Sequence, residues 1–274
     1  MKGPVRRSVV AGSWYTDVPE ALRSEIDGYL KKASIGEIPR KPAALISPHA
    51  GYMFSGKVAA YAYKAVSVRT YSTVVVISPS HRAYFPNVSV WSRGSFETPL
   101  GKIEIDEPLC EKLLQTSAVF TDDTRPHSAE HALEIQLPFL QTVLPPFKLC
   151  PLIMGRQDLD LCRGLSTALA SSIENPDDVL IVASSDLSHF HPGRQAEEMD
   201  SAVARRIEEF DVEGLSRDID ASKCEACGGG PIMTALLYAK SLSRTGVKIL
   251  KYAHSGHITG DNSSVVGYLS AVIY

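Results

Sequence analysis

The chain has 274 residues, of which 44% are hydrophobic and 22% are charged, and these proportions are ordinary for a globular protein. The formal net charge of −3 at pH 7 and Lys/Arg runs of at most two residues favour neither nucleic acid nor an anionic membrane as a partner. No composition shift or low-complexity linker divides the chain, so we predict a single domain over residues 1–274.

The cysteines and the N-terminus bear on the cellular compartment. Five cysteines are too few and too scattered to form a disulfide framework, which favours a reducing environment. The charged N-terminus is not followed by the apolar segment of a secretory signal, and no apolar stretch approaches the ~18–20 residues of a membrane span. We therefore expect a cytoplasmic protein.

The regular elements are predicted from apolar periodicity and turn residues. In the first half we predict a short strand within residues 9–15, a helix over 19–31, a helix through Ala65, a β-hairpin or meander over 88–106 at the sheet edge, and a helix over 108–114. A leucine stripe predicts a helix that begins near Ser128 and is kinked or broken by Pro138. In the second half we predict strands at 148–153, 247–252 and 265–273, and helices at 159–173, 199–210 and 231–238.

Three apolar runs end in serine together with histidine or aspartate. They cover residues 43–46, 74–77 and 179–183, and they read as strands that are buried on both faces. With the helices between them, they predict an α/β fold with a central, mostly parallel or mixed sheet flanked by helices. Functional crevices of such sheets lie at the carboxyl ends of the strands, so the three runs predict one shared crevice.

The polar residues that follow these strands suggest a metal site. His49 and His81 each follow an Ile-Ser-Pro sequence, and imidazole is the commonest metal ligand in proteins. Cys227 precedes three glycines and a predicted helix N-terminus, where main-chain N–H groups favour a thiolate. Asp186 and His189 follow the third strand, and their spacing suits a carboxylate that orients a ligand beside an imidazole acid or base.

Other histidines leave alternatives open. His127, Glu130 and His131 match the His-x-x-Glu-His signature of one class of zinc metallopeptidase, which is a minor alternative. His131 and Glu134 lie off the leucine stripe and are therefore candidates for the crevice. Tyr52 and His254 are further candidates for the crevice and its rim. His257 is a candidate for the rim as well, whereas Cys224 receives no role.

The ordered motifs of the chain resemble those of the Memo family, in particular its microbial branch, the AmmeMemoRadiSam system protein B. The motifs that carry the resemblance are Ala11-Gly-Ser-Trp-Tyr15, Ser47-Pro-His-Ala-Gly-Tyr52, Ser78-Pro-Ser-His81, Glu130-His-Ala-Leu-Glu-Ile-Gln-Leu-Pro-Phe139, Ser184-Ser-Asp-Leu-Ser-His189 and Cys227-Gly-Gly-Gly-Pro231. The resemblance implies a fold similar to the class III extradiol dioxygenases, which hold non-haem iron(II). It also implies a metal site of His49, His81 and Cys227, with Asp186 and His189 nearby. If the protein is a redox enzyme, we expect Asp186 and His189 to be its catalytic residues.

The resemblance and the residues together favour a metal-dependent redox enzyme, with iron(II) as the preferred ion and copper or zinc as alternatives. Extradiol dioxygenases use two histidines and a carboxylate, and a cysteine ligand shifts the preference toward softer ions. A non-enzymatic protein that binds a small molecule, a peptide or a partner protein in the crevice is the second hypothesis, and metal handling is the third. The name of the microbial branch implies a link with a radical-SAM protein and an AMMECR1-like protein.

Overall fold

The computed structural model describes residues 3–274. The strands are β1 (Val5–Arg7), β2 (Ala44–Ser47), β3 (Thr73–Pro79), β4 (Val88–Val90), β5 (Ser95–Thr98), β6 (Gly101–Glu104), β7 (Phe120–Asp122), β8 (Lys148–Met154), β9 (Val179–Ser184), β10 (His189–His191), β11 (Val247–His254) and β12 (Val265–Ile273). The helices are α1 (Pro19–Lys32), α2 (Tyr52–Lys64), α3 (Glu107–Thr116), α4 (Gln136–Val143), α5 (Leu159–Ser172), α6 (Gly193–Glu208), α7 (Val212–Asp220), α8 (Gly229–Ser241) and α9 (Gly256–Thr259).

A nine-stranded mixed sheet forms the centre of the fold. Its middle consists of the parallel strands β2, β9, β3 and β8 in that spatial order. Strand β12 lies antiparallel to β2, and it also pairs with β10 and β11. Strand β4 lies antiparallel to β8 and carries β7 on its other side. The predicted α/β architecture with a mixed sheet is confirmed.

Helices cover the central strands. Every residue of β2, β3 and β9 is buried, as expected for continuous apolar runs in a parallel sheet. Helix α2 packs on β2, β11 and β12, and helix α8 packs on β2, β3 and β9. Helix α5 packs on α8, and its first turn is capped by Asp158, whose carboxylate accepts a hydrogen bond from Leu161 N. The parallel strands are thereby covered by helices, and their carboxyl ends lie at one edge of the sheet.

The expectation for residues 88–106 is partly wrong. Strand β4 does extend the large sheet, but the hairpin of β5 and β6 belongs to a separate three-stranded sheet. In that sheet β1 pairs in parallel with β5, and β5 pairs antiparallel with β6. The first strand is Val5–Arg7. Residues 9–15 contain bends, a turn and an isolated bridge between Ala11 and Tyr15 instead of a strand.

The leucine stripe misplaced the start of helix α4. The helix begins at Gln136, and residues 128–135 are irregular or form turns. Pro138 therefore lies in the first turn of the helix, where its missing N–H costs nothing, and no kink is needed. Among the helices of residues 3–274, none is both long enough and apolar enough to cross a bilayer.

Candidate metal centre

Three neighbouring strands deliver the candidate residues to one place. Strand β9 lies between β2 and β3, and all three are parallel. His49 follows the end of β2, His81 follows the end of β3, and Asp186 follows the end of β9. The crevice predicted at the carboxyl ends of these strands is therefore where the polar residues meet.

Three imidazoles converge at this edge. His49, His81 and His131 each offer a ring nitrogen within 4.8 Å of the nitrogens of the other two. The ring centroids of His49 and His131 are 5.6 Å apart, and those of His81 and His131 are 4.7 Å apart. His49 and His131 are buried, whereas His81 is exposed, so the cluster has one side open to solvent. These spacings suit three ligands of a single transition-metal ion.

The tautomer of His49 follows from the hydrogen bonds of Ser184. The Ser184 hydroxyl donates its one proton to the carbonyl of Ala132, at 2.7 Å. The same oxygen accepts a hydrogen bond from the side-chain Nε2 of Gln136, at 2.7 Å, and lies 2.8 Å from His49 Nδ1. Since the hydroxyl proton is already used, His49 Nδ1 must be the donor. The lone pair of His49 is therefore on Nε2, which is the nitrogen available to a metal.

A carboxylate orients His81. Glu130 accepts hydrogen bonds from the main-chain N of His81, at 2.6 Å, and from its Nδ1, at 3.0 Å. The proton on Nδ1 again leaves Nε2 free for a metal, which is the usual carboxylate–histidine–metal arrangement. The same carboxylate accepts from the main-chain N of His131 and Ala132. Hydrogen bonding by these donors lowers the pKa of Glu130 against the raising effect of its burial.

His131 completes the cluster. Its ring lies against Trp14, with centroids 4.3 Å apart. Its buried Nδ1 makes no hydrogen bond, although Glu130 Oε1 is 3.3 Å away. Burial lowers the pKa of His131 to about 4, so the ring is neutral at physiological pH and has a lone pair to offer. From the sequence, His131 was expected only to line the crevice. It does not follow a strand, so its adjacency to Glu130 was the one sequence feature that could have suggested a role as a ligand.

The Cys227 thiol touches this cluster from the start of α8. Its Sγ lies 3.1 Å from His49 Nε2 and accepts from the main-chain N of Asp186 at 3.2 Å. The approach requires glycine at position 228, because a Cβ there would lie 2.1 Å from the carbonyl oxygen of Ser184. Contrary to the expectation of a helix-stabilised thiolate, burial and the nearby Asp186 raise the pKa of Cys227. The thiol is therefore neutral until a cation displaces its proton.

Asp186 supports the cluster from below. Its carboxyl group is buried and accepts a hydrogen bond of 2.7 Å from the main-chain N of His49. Burial raises the pKa of Asp186 to about 7. The expected function of Asp186 in orienting a ligand is consistent with this contact, which is to the backbone of His49 and not to the ring of His189.

This chain is similar along nearly its whole length to known proteins of one family. A family model described as "Memo-like protein" matches residues 6–272. The chain belongs to the Memo family. A MEMO1 family protein of Sulfolobus acidocaldarius is 36% identical over 279 residues, covering 97% of this chain and 98% of the relative. One of Methanothermobacter thermautotrophicus is 37% identical over 272 residues, covering 96% and 98%. One of Methanopyrus kandleri is 35% identical over 277 residues, covering 97% and 98%.

Membership of the Memo family settles the fold class. The single-domain α/β architecture, with mixed sheets flanked by helices, is the class III extradiol dioxygenase-like fold of the Memo family. The resemblance read from the sequence motifs is thereby confirmed.

His189 lies in the short strand β10, three residues after Asp186. It is half-buried, and burial lowers its pKa. Its main-chain N donates to Glu225, at 3.1 Å, and the same carboxylate lies 2.9 Å from His191 Nε2. Between the two histidines Phe190 has a φ of 63°, a backbone conformation that is uncommon for an aromatic residue. Glu225, to which the sequence analysis gave no role, thus contacts both ends of β10.

Two expected crevice residues are structural. Glu134 is buried, forms an ion pair with Arg6, and accepts hydrogen bonds from the main-chain N of Val9 and Val10. Tyr52 is buried in the core, and its hydroxyl donates to the carbonyl of Ile135 at 2.8 Å. The assignment of both residues to the crevice is corrected, because their polar atoms are satisfied within the core.

The zinc metallopeptidase alternative is not supported, because its signature requires a helix that places both histidines on one face. Residues 127–131 are not helical, so His127 and His131 do not share a helix face. His127 is buried, packs near Trp91 and Phe96, and has Nε2 3.3 Å from the carbonyl of Ser89. Cys224 is likewise part of the hydrophobic core. His254 lies with His257 and Glu197 in a different group.

Proposed function

We propose that this Memo-family chain is a metal-dependent oxidoreductase that acts on a small molecule at the His49–His81 centre. The observation that carries the proposal is the convergence of three imidazoles and a thiol near the ends of adjacent parallel strands. Two of the imidazoles have tautomers fixed by Ser184 and Glu130, so that their free nitrogens are preorganised for an ion.

The proposed ligands are His49, His81 and Cys227, with His131 as a fourth donor. The set combines imidazole nitrogen with sulfur, which suits iron, copper and zinc rather than magnesium or calcium. Iron(II) is favoured because the fold is related to enzymes that hold non-haem iron. When bound, such an ion supplies a change of oxidation state and a coordination position for substrate.

The chain's own residues would supply the proton chemistry and access. His189 lies three residues after Asp186, whose carboxyl group accepts a hydrogen bond from the main-chain N of His49. We propose that His189 donates or accepts the proton and that Asp186 positions His49 through its backbone. Substrate would enter on the exposed side of His81.

Metal analysis of anaerobically purified protein tests the proposal. Stoichiometric iron in the wild type, lost in His81→Ala and Cys227→Ser, is the expected result. His127→Phe is a control, because His127 is outside the cluster, and its iron content should be unchanged. Oxygen consumption with catechol-like and other small aromatic substrates follows, and it should disappear in His49→Ala.

Other outcomes would overturn the proposal in different ways. Tight copper or zinc without turnover would favour metal handling. If the protein bound no iron, copper or zinc after supplementation, the proposal of a metal-dependent enzyme would be wrong.

A binding function is the second candidate, because three large apolar side chains are exposed on segments that follow the site strands. Met53 is 63% exposed, Tyr84 89% and Phe190 75%. Such residues suit the binding of a peptide or a partner protein. Partners linked with the family name, a radical-SAM protein and an AMMECR1-like protein in the cytoplasm, are proposed for this surface. Binding that survives metal chelation but is lost in Phe190→Ser would support this function.

A further inference from the structure

A second group of potential metal ligands lies outside the centre described above. Glu197 of α6, His254 at the end of β11 and His257 of α9 offer ligand atoms that all lie within 4.8 Å of one another. His254 is buried, whereas Glu197 and His257 are exposed. The group is therefore built on one fixed imidazole and remains accessible from solvent.

The separation of two of these atoms fits coordination better than hydrogen bonding. His254 Nε2 and Glu197 Oε1 are 3.4 Å apart, which is beyond the usual range of an N–H···O hydrogen bond. Two ligands of a tetrahedral ion, with metal–ligand distances of about 2.0–2.1 Å, would be separated by about 3.3 Å. An ion between these two atoms would need little rearrangement of either side chain.

The hydrogen bonding of His254 is incomplete. Its buried Nδ1 has no hydrogen-bond partner among the described residues, so only Nε2 faces a polar group. The ring stacks on His257, with centroids 3.8 Å apart and planes 26° from parallel. His257 Nδ1 accepts a hydrogen bond of 3.1 Å from the main-chain N of His254, which holds the second ring over the first. This hydrogen bond places the lone pair of His257 on Nδ1, so an ion bound by that nitrogen would replace the main-chain N–H as its partner.

The chemistry of the group points to a transition-metal ion. Two histidines and one carboxylate bind zinc in catalytic sites and iron(II) in non-haem oxygenases, with positions left for water. Calcium and magnesium prefer a set dominated by oxygen ligands. The proposed ligands of the first centre are histidines and a cysteine. The second group differs because it includes a carboxylate, that of Glu197.

The group is linked to the segment that carries His189. His254 pairs with Gly267 of β12, and His189 pairs with Val266 on the other side of the same strand. The two backbone positions are therefore about two inter-strand spacings apart, or about 10 Å. Asp200, one turn after Glu197 on α6, accepts a hydrogen bond from the main-chain N of Ser188 at 2.9 Å and one from the hydroxyl of Tyr252 at 2.7 Å.

We propose that Glu197, His254 and His257 form a second, independent site for a divalent transition-metal ion such as zinc. The ion joins α6 to the end of β11 and to α9. Through α6 and β12 it braces the turn from Asp186 to His191 beside the first centre.

A cobalt(II) titration of the chelator-treated full-length protein, followed by optical absorption and calorimetry, tests this site. Cobalt bound by Cys227 has a sulfur charge-transfer band, whereas cobalt bound by nitrogen and oxygen alone lacks it. We expect two equivalents in the wild type, of which one has the sulfur band. His257→Ala should retain only the equivalent with the band, and Glu197→Gln should weaken the other by at least about tenfold.

Matched variants separate the two sites. Glu198→Gln changes a neighbouring exposed glutamate of α6 that pairs with Arg194, and it should leave both equivalents unchanged. Cys227→Ser should abolish the sulfur band and leave the second equivalent. Because Glu197 and His257 are exposed, their variants should fold, which circular dichroism checks. The proposal would be wrong if every cobalt equivalent bound by the wild type had the sulfur band. It would also be wrong if His257→Ala still bound the equivalent that lacks the band.

Discussion

Replacement of Glu130 by glutamine should weaken metal binding at the first centre without changing any ligand. One carboxylate oxygen accepts from the His81 main-chain N, and the other accepts from His81 Nδ1 and from the main-chain N of His131 and Ala132. A glutamine amide replaces one of these oxygens by an NH2 group, which cannot accept a hydrogen bond. In either orientation His81 loses one of its two bonds to this side chain.

The magnitude follows from these contacts. Loss of a carboxylate that orients a histidine ligand typically reduces metal affinity 10–100-fold, or about 1.4–2.7 kcal/mol. The buried N–H left without an acceptor should also lower the free energy of unfolding by about 1–3 kcal/mol. Metal titration gives the first quantity, and denaturant unfolding of the metal-free protein gives the second.

Glu225→Gln is the matched control. Glu225 also accepts hydrogen bonds from a main-chain N and a histidine ring, but His191 is outside the metal cluster. We expect its metal affinity to match the wild type. If Glu130→Gln also bound metal with wild-type affinity while its unfolding free energy fell, the orienting function assigned to Glu130 would be wrong.

Three further predictions concern ligands, pH and packing. His131→Ala should reduce metal affinity more than tenfold in the same titration, whereas His127→Phe should not. Burial lowers the pKa of His127 to about 3, below the 6.5 of an unfolded histidine, so the unfolded state binds the proton first and stability falls with acidification. Between pH 7 and pH 5 this costs about 2 kcal/mol, so in denaturant unfolding the wild type should lose about that much more stability than His127→Phe, in which other buried histidines such as His131 still titrate. Gly228→Ala should lower the free energy of unfolding by about 2–4 kcal/mol, whereas Gly28→Ala in helix α1, where a Cβ meets nothing within 4 Å, should raise it by about 0.5–1 kcal/mol.

The sequence was sufficient to predict which site residues come together when those residues directly follow a strand. Continuous apolar runs identify β2, β3 and β9, and a parallel sheet necessarily brings their carboxyl ends to one edge. His49, His81 and Asp186 could therefore be grouped before their distances were known. The same principle does not give the spatial order of the strands, which decides that β9 lies between the other two.

The contribution of His131 could not be read from periodicity. It lies in a segment of turns, and the leucines on either side of it imitate a helical stripe although the helix begins only at Gln136. What fixes its position is a set of contacts with residues far along the chain, among them Trp14 and the loop of His81. Local patterns contain no information about such contacts. The thiolate expected at Cys227 also depends on burial, which raises the pKa of its thiol and cannot be read from the local sequence.

The buried guanidinium of Arg6 has a consequence for the order in which the molecule assembles. Arg6 donates to the carbonyl of His127 at 3.1 Å and to that of Glu130 at 2.6 Å, across sequence separations of 121 and 124 residues. Cys227 and His49, which must also meet, are 178 residues apart. Contacts of this range form slowly because long loops must close first. During synthesis, three imidazoles would thus leave the ribosome well before the thiol, and selective metal uptake should wait until the chain has closed on itself.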